Sequence, residues 1–282
     1  MSDIKNLKSL NLSSVTIIGT AIHVVLAIIA AIVCLIVVGI MVPSGIGAVG
    51  ILIPAAVFSV FVYSVYSLFT ESYLYNWIAK RMNPINFEFE NESTITKIST
   101  TTTAFIVSII STIMVIIVLI IGMIAIPLML SSAVQTLMLS GQMSIAYTLY
   151  QIILMFSNPT MLALAIIGTF IISFIYTLIG TYIFNLIGNR IPIELELSQV
   201  DEITTVEKLN IKSFAFIFSI IFLILNLITG IINAISYGSY IAIPVFAVIG
   251  FVYGFVVTAI GAYLYNLLAP RLGKVKCELI DE

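Results

Sequence analysis

Histidine and tryptophan occur once each, cysteine twice, and charged residues make up only 9% of the 282 residues. Each scarcity removes a class of function. A lone His23 and two cysteines are too few for a typical structural zinc site. Cys34 falls inside an apolar run and Cys277 in the last polar segment, so they build no disulfide framework. Eleven basic residues, set against thirteen acids and spread over many segments, leave a net charge of −2 and no basic patch for nucleic acid. The chain has no nucleophile motif, phosphate-cradling glycine loop, CxxC or HExxH. The expectation is a protein that is not an enzyme and carries no cofactor or metal.

What is abundant is apolar. Hydrophobic residues reach 61% and the mean hydropathy is +1.22, whereas soluble domains average about 45–50% apolar and about 25% charged. No soluble fold of this size hides so much apolar surface, so the reading is an integral membrane protein. A spanning helix needs roughly 20 apolar residues. Six runs qualify: about 14–41, 48–78, 102–130, 160–187, 212–236 and 241–268. The first is far longer than a signal-peptide core and lacks a small-residue cleavage pattern, so it reads as a retained helix capped by Ser13 or Ser14. Met41 to Gly47, with Pro43 and Gly45, reads as the first outer turn.

With six spans, every lysine and arginine falls on one side: Lys5 and Lys8; Lys80, Arg81 and Lys97; Arg190, Lys208 and Lys212; Arg271, Lys274 and Lys276. The positive-inside rule then places both termini in the cytoplasm, in a multi-pass protein of the cell membrane. Residues 131–157 test the count. The uncharged stretch Met143 to Phe156 is 14 residues long; at about 1.5 Å per residue it falls short of a hydrocarbon core of about 30 Å. It is expected as a re-entrant or interfacial outer insertion, the alternative being an irregular outer loop.

Three runs close on one pattern, Tyr-x-(Tyr/Phe)-Asn-x4-Arg: Tyr73, Asn76 and Arg81; Tyr182, Asn185 and Arg190; Tyr263, Asn266 and Arg271. Pro54 and Pro244 each lie 22 residues before the asparagine of their run. Alternating segments follow: Ile85 to Glu90, Ile193 to Leu197, and Val275 to Leu279. That period is the period of a half-buried strand. The expected fold is all-α: six transmembrane helices in three parallel two-helix repeats, about 1–92, 93–200 and 201–282, around a pseudo-threefold axis. Short cytoplasmic strands follow helices 2, 4 and 6, forming a small cap. The alternative for those tails is a set of solvated acidic linkers, because Asn91 to Thr94 and Ser198 to Asp201 look loop-like.

The stretch Tyr263 to Leu279, including Tyr265-Asn266-Leu267-Leu268-Ala269-Pro270-Arg271-Leu272-Gly273, resembles a transmembrane domain of unknown function found in actinobacterial and archaeal membrane proteins. In that family a two-helix unit ends in an aromatic-Asn element, a basic turn and a short acidic strand. The resemblance covers the ends of the three units and departs at Lys274, where a second glycine is expected. It implies domain architecture and a prokaryotic, archaeal source, and it brings no chemistry with it.

The repeated residues support two readings. Arginines at helix C-termini meet the negative end of the helix dipole and reach phospholipid head groups. The Tyr73, Tyr182 and Tyr263 rings, three residues before each asparagine, read as interface anchors; the sharper reading has three Tyr/Asn pairs holding a ligand at the axis. Glu71 is the one acid inside an apolar run, and His23 falls at similar depth in the first helix. An intramembrane ionisable residue is a functional candidate, and this pair is a candidate proton relay or cation site. Gly180 and Gly261 occupy the positions aligned with Glu71, which suggests a closely packed helix interface. The functional expectation is an accessory or scaffold subunit that meets membrane lipid and other membrane subunits or itself. The rival is a small-ion or small-solute transporter or channel with Glu71 in its path.

Overall fold

Apolar side chains and a self-satisfied backbone make helices the natural form of these runs. The structure, a computed structural model, describes residues 3–43, 46–200 and 202–281. Six helices are long and apolar enough to cross a membrane: α1 (Leu12–Met41), α2 (Ile46–Ala79), α3 (Thr100–Leu139), α5 (Pro159–Ile187), α6 (Ile211–Tyr237) and α7 (Ala242–Leu272). The protein is a multi-pass integral membrane protein. The shorter α4 (Met143–Ser157) lies between α3 and α5 in sequence.

The polar ends of the helices run into strands: β1 (Asp3–Leu10), β2 (Ile85–Glu90), β3 (Thr94–Ile98), β4 (Ile193–Val200), β5 (Ile203–Leu209) and β6 (Lys276–Asp281). They close an antiparallel barrel in chain order, β6 returning to β1 through pairs such as Leu7 with Leu279. This corrects the expectation of strands after helices 2, 4 and 6 alone. Three further strands precede α1, α3 and α6, and closure removes the free edges that lone strands would expose. Ser198 to Val200 belong to β4, not to a linker, while Asn91 and Glu92 make the β2–β3 turn with positive φ of 58° and 53°.

Alternation decides which side of the barrel is packed. Ile85, Phe89, Ile95 and Ile193 are buried, and Phe89, Ile95 and Ile193 share a cluster with Ile183 and Phe184 of α5 and Ile217 and Ile221 of α6. The intervening Glu88 and Glu196 pair with lysines directly across the ladder: Lys97 at 2.8 Å and Lys208 at 3.4 Å. Such exposed pairs set register more than they add stability.

The chain divides into two compact units, Met1–Thr103 with Leu178–Glu282, and Ala104–Thr177. In the first, small residues let helices meet closely. A Cβ on Gly250 would stand 2.6 Å from Asn226 Cβ and one on Gly254 2.8 Å from Phe222 Cβ, so α7 rests directly on α6. In the second, Phe105 packs edge-on against Phe170 and Phe174. There a Cβ on Gly122 would come within 2.6 Å of the Phe156 ring, so α4 folds back along α3.

Several local expectations change. Residues 131–139 complete α3 and 143–157 form α4, so the insertion is helical and not an irregular loop. The N-cap of α1 is Asn11, whose side chain accepts from Ser14 N, and neither Ser13 nor Ser14. Of the first outer turn, Met41 ends α1 and Gly47 lies inside α2, while Gly45 lies outside the described residues. Helix α2 runs unbroken past Pro54 and α7 past Pro244. Helix α6 starts in the same way: Asn210 caps it by accepting from Lys212 N and Ser213 N.

Candidate functional site

Two constellations use the residues singled out by sequence. The first is a joint between helix end and strand end. Asn76 accepts from Leu10 N at 2.7 Å and donates to Leu10 O at 2.8 Å. Asn185 does the same with Ile98, both at 2.8 Å, and Asn266 with Leu209, at 2.9 and 2.8 Å. A primary amide carries one acceptor and one donor group, so it matches the N–H and C=O of one backbone residue. Each clamped residue is the last of a strand leading into a helix, β1, β3 or β5. There the start of the helix leaves backbone groups that the ladder no longer serves.

The aromatic partner is the second of the motif, not the first. Tyr75 donates to Leu7 O and Tyr265 to Val206 O, each three residues before the clamped one, both at 2.5 Å. Tyr265 also accepts from Val275 N at 3.2 Å. The middle copy has Phe184 here, 2% exposed and packed into the apolar cluster without a hydroxyl. Tyr73, Tyr182 and Tyr263 are instead 53%, 59% and 55% exposed. The structure therefore does not join these tyrosines to the asparagines, whose amides are already spent on backbone. Arg81 stacks on Trp77 at 4.1 Å, and Arg190 and Arg271 are exposed.

Beside these joints the strands carry two perturbed groups. The Lys274 ammonium, and then the Ser198 hydroxyl, bind Glu207 and hold its carboxyl below the ordinary value near 4.5. Burial pushes the Cys277 thiol up to about 11, so it is a poor nucleophile.

The second constellation is the face between α1 and α2. His23 Nδ1 and Ser64 Oγ lie 3.0 Å apart. One turn nearer the barrel, Gly19 meets Leu68, where an added Cβ would stand 2.6 Å from Leu68 Cδ1. The two helices are antiparallel, so residues whose numbers sum to the same value share a level. Thr20 comes level with Ser67 and Thr16 with Glu71. His23 and Glu71 are consequently not neighbours: Ser64 and Glu71 are seven residues apart on α2, about 10 Å of rise. The sequence paired them by depth alone, and the register separates them.

This face is unusually polar for a membrane helix pair. Ser64, Ser67, Ser72 and Thr20 are 1%, 5%, 3% and 6% exposed. Ser67 donates to Ser64 O at 3.4 Å, but Thr16 Oγ1 and Thr20 Oγ1 are buried with no partner among the described residues. Glu71 lies on the same helical arc as Ser64, Ser67 and Tyr75, yet its side chain is exposed. The serines and threonines were not singled out by sequence; their spacing of three and four residues on α1 and α2 was the available signal. Counting five residues back from the other clamp asparagines reaches Gly180 and Gly261. A Cβ at Gly180 would only touch Ile221 at 3.7 Å and one at Gly261 would meet nothing within 4 Å. The close packing expected there is absent. Among the described residues no group of three or more His, Cys, Asp or Glu side chains stands close enough to hold a metal.

No family model, curated protein or solved structure matches the chain.

Proposed function

We propose that the chain is a non-enzymatic scaffold or accessory subunit of a membrane assembly, built from three tandem helix-pair units held parallel by a strand barrel on the cytoplasmic side. The observation that supports this most directly is the asparagine clamp, made with the same atoms at the joints below α1, α3 and α6. It fastens the last helix of each unit to the strand that starts that unit. Strand pairing then links the three units in one ring, with a pseudo-threefold order of joints. The joints fix one helix end of each unit to this frame of strands. A frame of this kind suits holding other membrane proteins, or further copies, in register. The exposed apolar residues along all six spans, from Ile36 and Leu52 to Val252, face lipid or such partners.

Units bounded near 92 and 200, the outer placement of α4, and kinship with the actinobacterial and archaeal domain family belong to the same proposal. Arg81, Arg190 and Arg271 would meet lipid head groups where the helices leave the membrane. The test is purification from the native membrane in mild detergent or nanodiscs, with mass spectrometry of stoichiometric co-eluting chains and a native mass. A defined partner or a homo-oligomer is expected. A lone monomer under conditions that keep the fold intact would overturn the proposal.

A further inference from the structure

We propose that two copies of the chain pair through the exposed face of α3, along a parallel seam at the end of that helix far from the barrel. This rests on the scaffold reading and deepens it by naming the partner as a second copy.

Helix α3 is longer than a membrane requires. Its 40 residues rise about 60 Å, whereas a hydrocarbon core of about 30 Å takes roughly 20 residues. Counted from Thr100, where β3 hands over to the helix, the core ends near Ile120. The part from Ile121 to Leu139 continues past it. There α4 accompanies it, the Phe156 ring lying against Gly122. Charged residues are absent from Thr100 to Ser157. One line of this outer part carries a heptad pattern: Ile121, Ala125, Leu128, Ser132, Gln135 and Leu139 follow one another by four and three residues in turn. Five of the six are exposed, Leu128 at 73% and Leu139 at 90%, and Ala125 is partly so. Gly122 and Val134, about a third of a turn to either side of the line, are buried. A contiguous apolar line past the hydrocarbon core marks a docking surface.

Orientation, shape and polarity select a second copy as the occupant. Every copy inserts in the membrane in the same direction, so two α3 helices stand parallel and a twofold contact brings each residue of the line opposite itself. Large and small side chains alternate over Ile121, Ala125, Leu128 and Ser132, which lets the backbones approach while the large side chains fill the spaces between. Gln135 is its own complement. A primary amide both donates and accepts, so two of them face to face serve each other. A lone amide in a seam of this kind fixes the register and the number of strands. The twofold axis then runs along the membrane normal, and the two α3–α4 hairpins form a four-helix layer beyond the bilayer core.

The experiment is disulfide cross-linking of the full chain in its native membrane with copper phenanthroline, in a Cys34→Ala, Cys277→Ala background. A single introduced cysteine bridges to its own counterpart when the two Cα atoms come within about 7 Å. Leu128→Cys is expected to give a covalent dimer of twice the chain mass. Leu137→Cys, on the opposite side of the helix, is expected to give none. Adding Gln135→Glu to Leu128→Cys sets two carboxylates face to face, so the dimer yield above neutral pH should fall severalfold, whereas Gln135→Asn should retain it. No dimer at 128, equal yields at 128 and 137, or an unchanged yield with Gln135→Glu overturns the pairing. If Gln135→Glu does not give monodisperse protein, the contrast between 128 and 137 decides. A purified complex that holds one copy of this chain with a different subunit sinks the pairing and leaves the scaffold reading standing; a lone monomer sinks both.

Discussion

At the scale of single residues, a few side chains do what the long apolar runs cannot: they tie helix ends to strand ends. The clamp asparagines are half-buried and their hydrogen bonds are to backbone. Removing one amide therefore leaves an N–H and a C=O unserved near the barrel, at about 1–3 kcal/mol for each group. Asn266→Ala is expected to lower the melting temperature in detergent by several degrees. Asn266→Asp should not restore it, because a carboxylate accepts but does not donate. Tyr265→Phe removes the donor to Val206 O and the acceptor for Val275 N, so a loss of about 1–3 kcal/mol is expected from the same melt. An unchanged melting temperature in both variants would show that the joints add nothing to stability. The motif was legible in sequence through its spacing. Its role was not, because the partners stand 66, 87 and 57 residues away, and nothing in a one-dimensional pattern marks a backbone group as unserved.

At the scale of elements, helices and strands fail differently. The α6–α7 contact rests on Gly250 and Gly254, whose missing Cβ atoms leave room for Asn226 and Phe222. Gly254→Leu should split this pair, seen as loss of monodispersity or as protease sensitivity, whereas Gly261→Ala, which meets nothing within 4 Å, should be silent. The barrel is acid-sensitive through Glu207. Its carboxyl titrates below the ordinary value near 4.5 in the fold, so the folded state favours the ionised form. That contribution is fully present above the unfolded value and is lost as pH falls through the folded one. Stability measured from pH 6 downward should thus decline below about 4.5, and Glu207→Gln should flatten the decline. Cys277 gives a second readout. A rise from 9.0 to about 11 leaves roughly a hundredfold less thiolate near neutral pH. Maleimide should label it slowly in the folded chain and rapidly once the barrel is opened by denaturant.

At the scale of the whole molecule, sidedness is the property to test. The proposal puts the barrel in the cytoplasm and the α1–α2, α3–α4 and α6–α7 turns outside. In a Cys34→Ala, Cys277→Ala background, a cysteine placed at Glu92 in the β2–β3 turn should be protected from a membrane-impermeant maleimide in intact cells. One placed at Ser239, after α6, should be labelled; the reverse pattern would invert the topology. The sequence by itself determined that the chain is a membrane protein, how many helices are long enough to cross, and that Tyr-x-(Tyr/Phe)-Asn-x4-Arg recurs. These follow from composition, length and local period, which every residue carries regardless of its neighbours in space. Tertiary structure alone decided that six strands close into a barrel, that Tyr75 and Tyr265 reach strand carbonyls where Tyr73 and Tyr263 stay exposed, and that His23 meets Ser64, about two turns from Glu71. Each of those depends on register between segments far apart in the chain. A shift of one residue in such a register changes every partner while leaving composition and periodicity untouched.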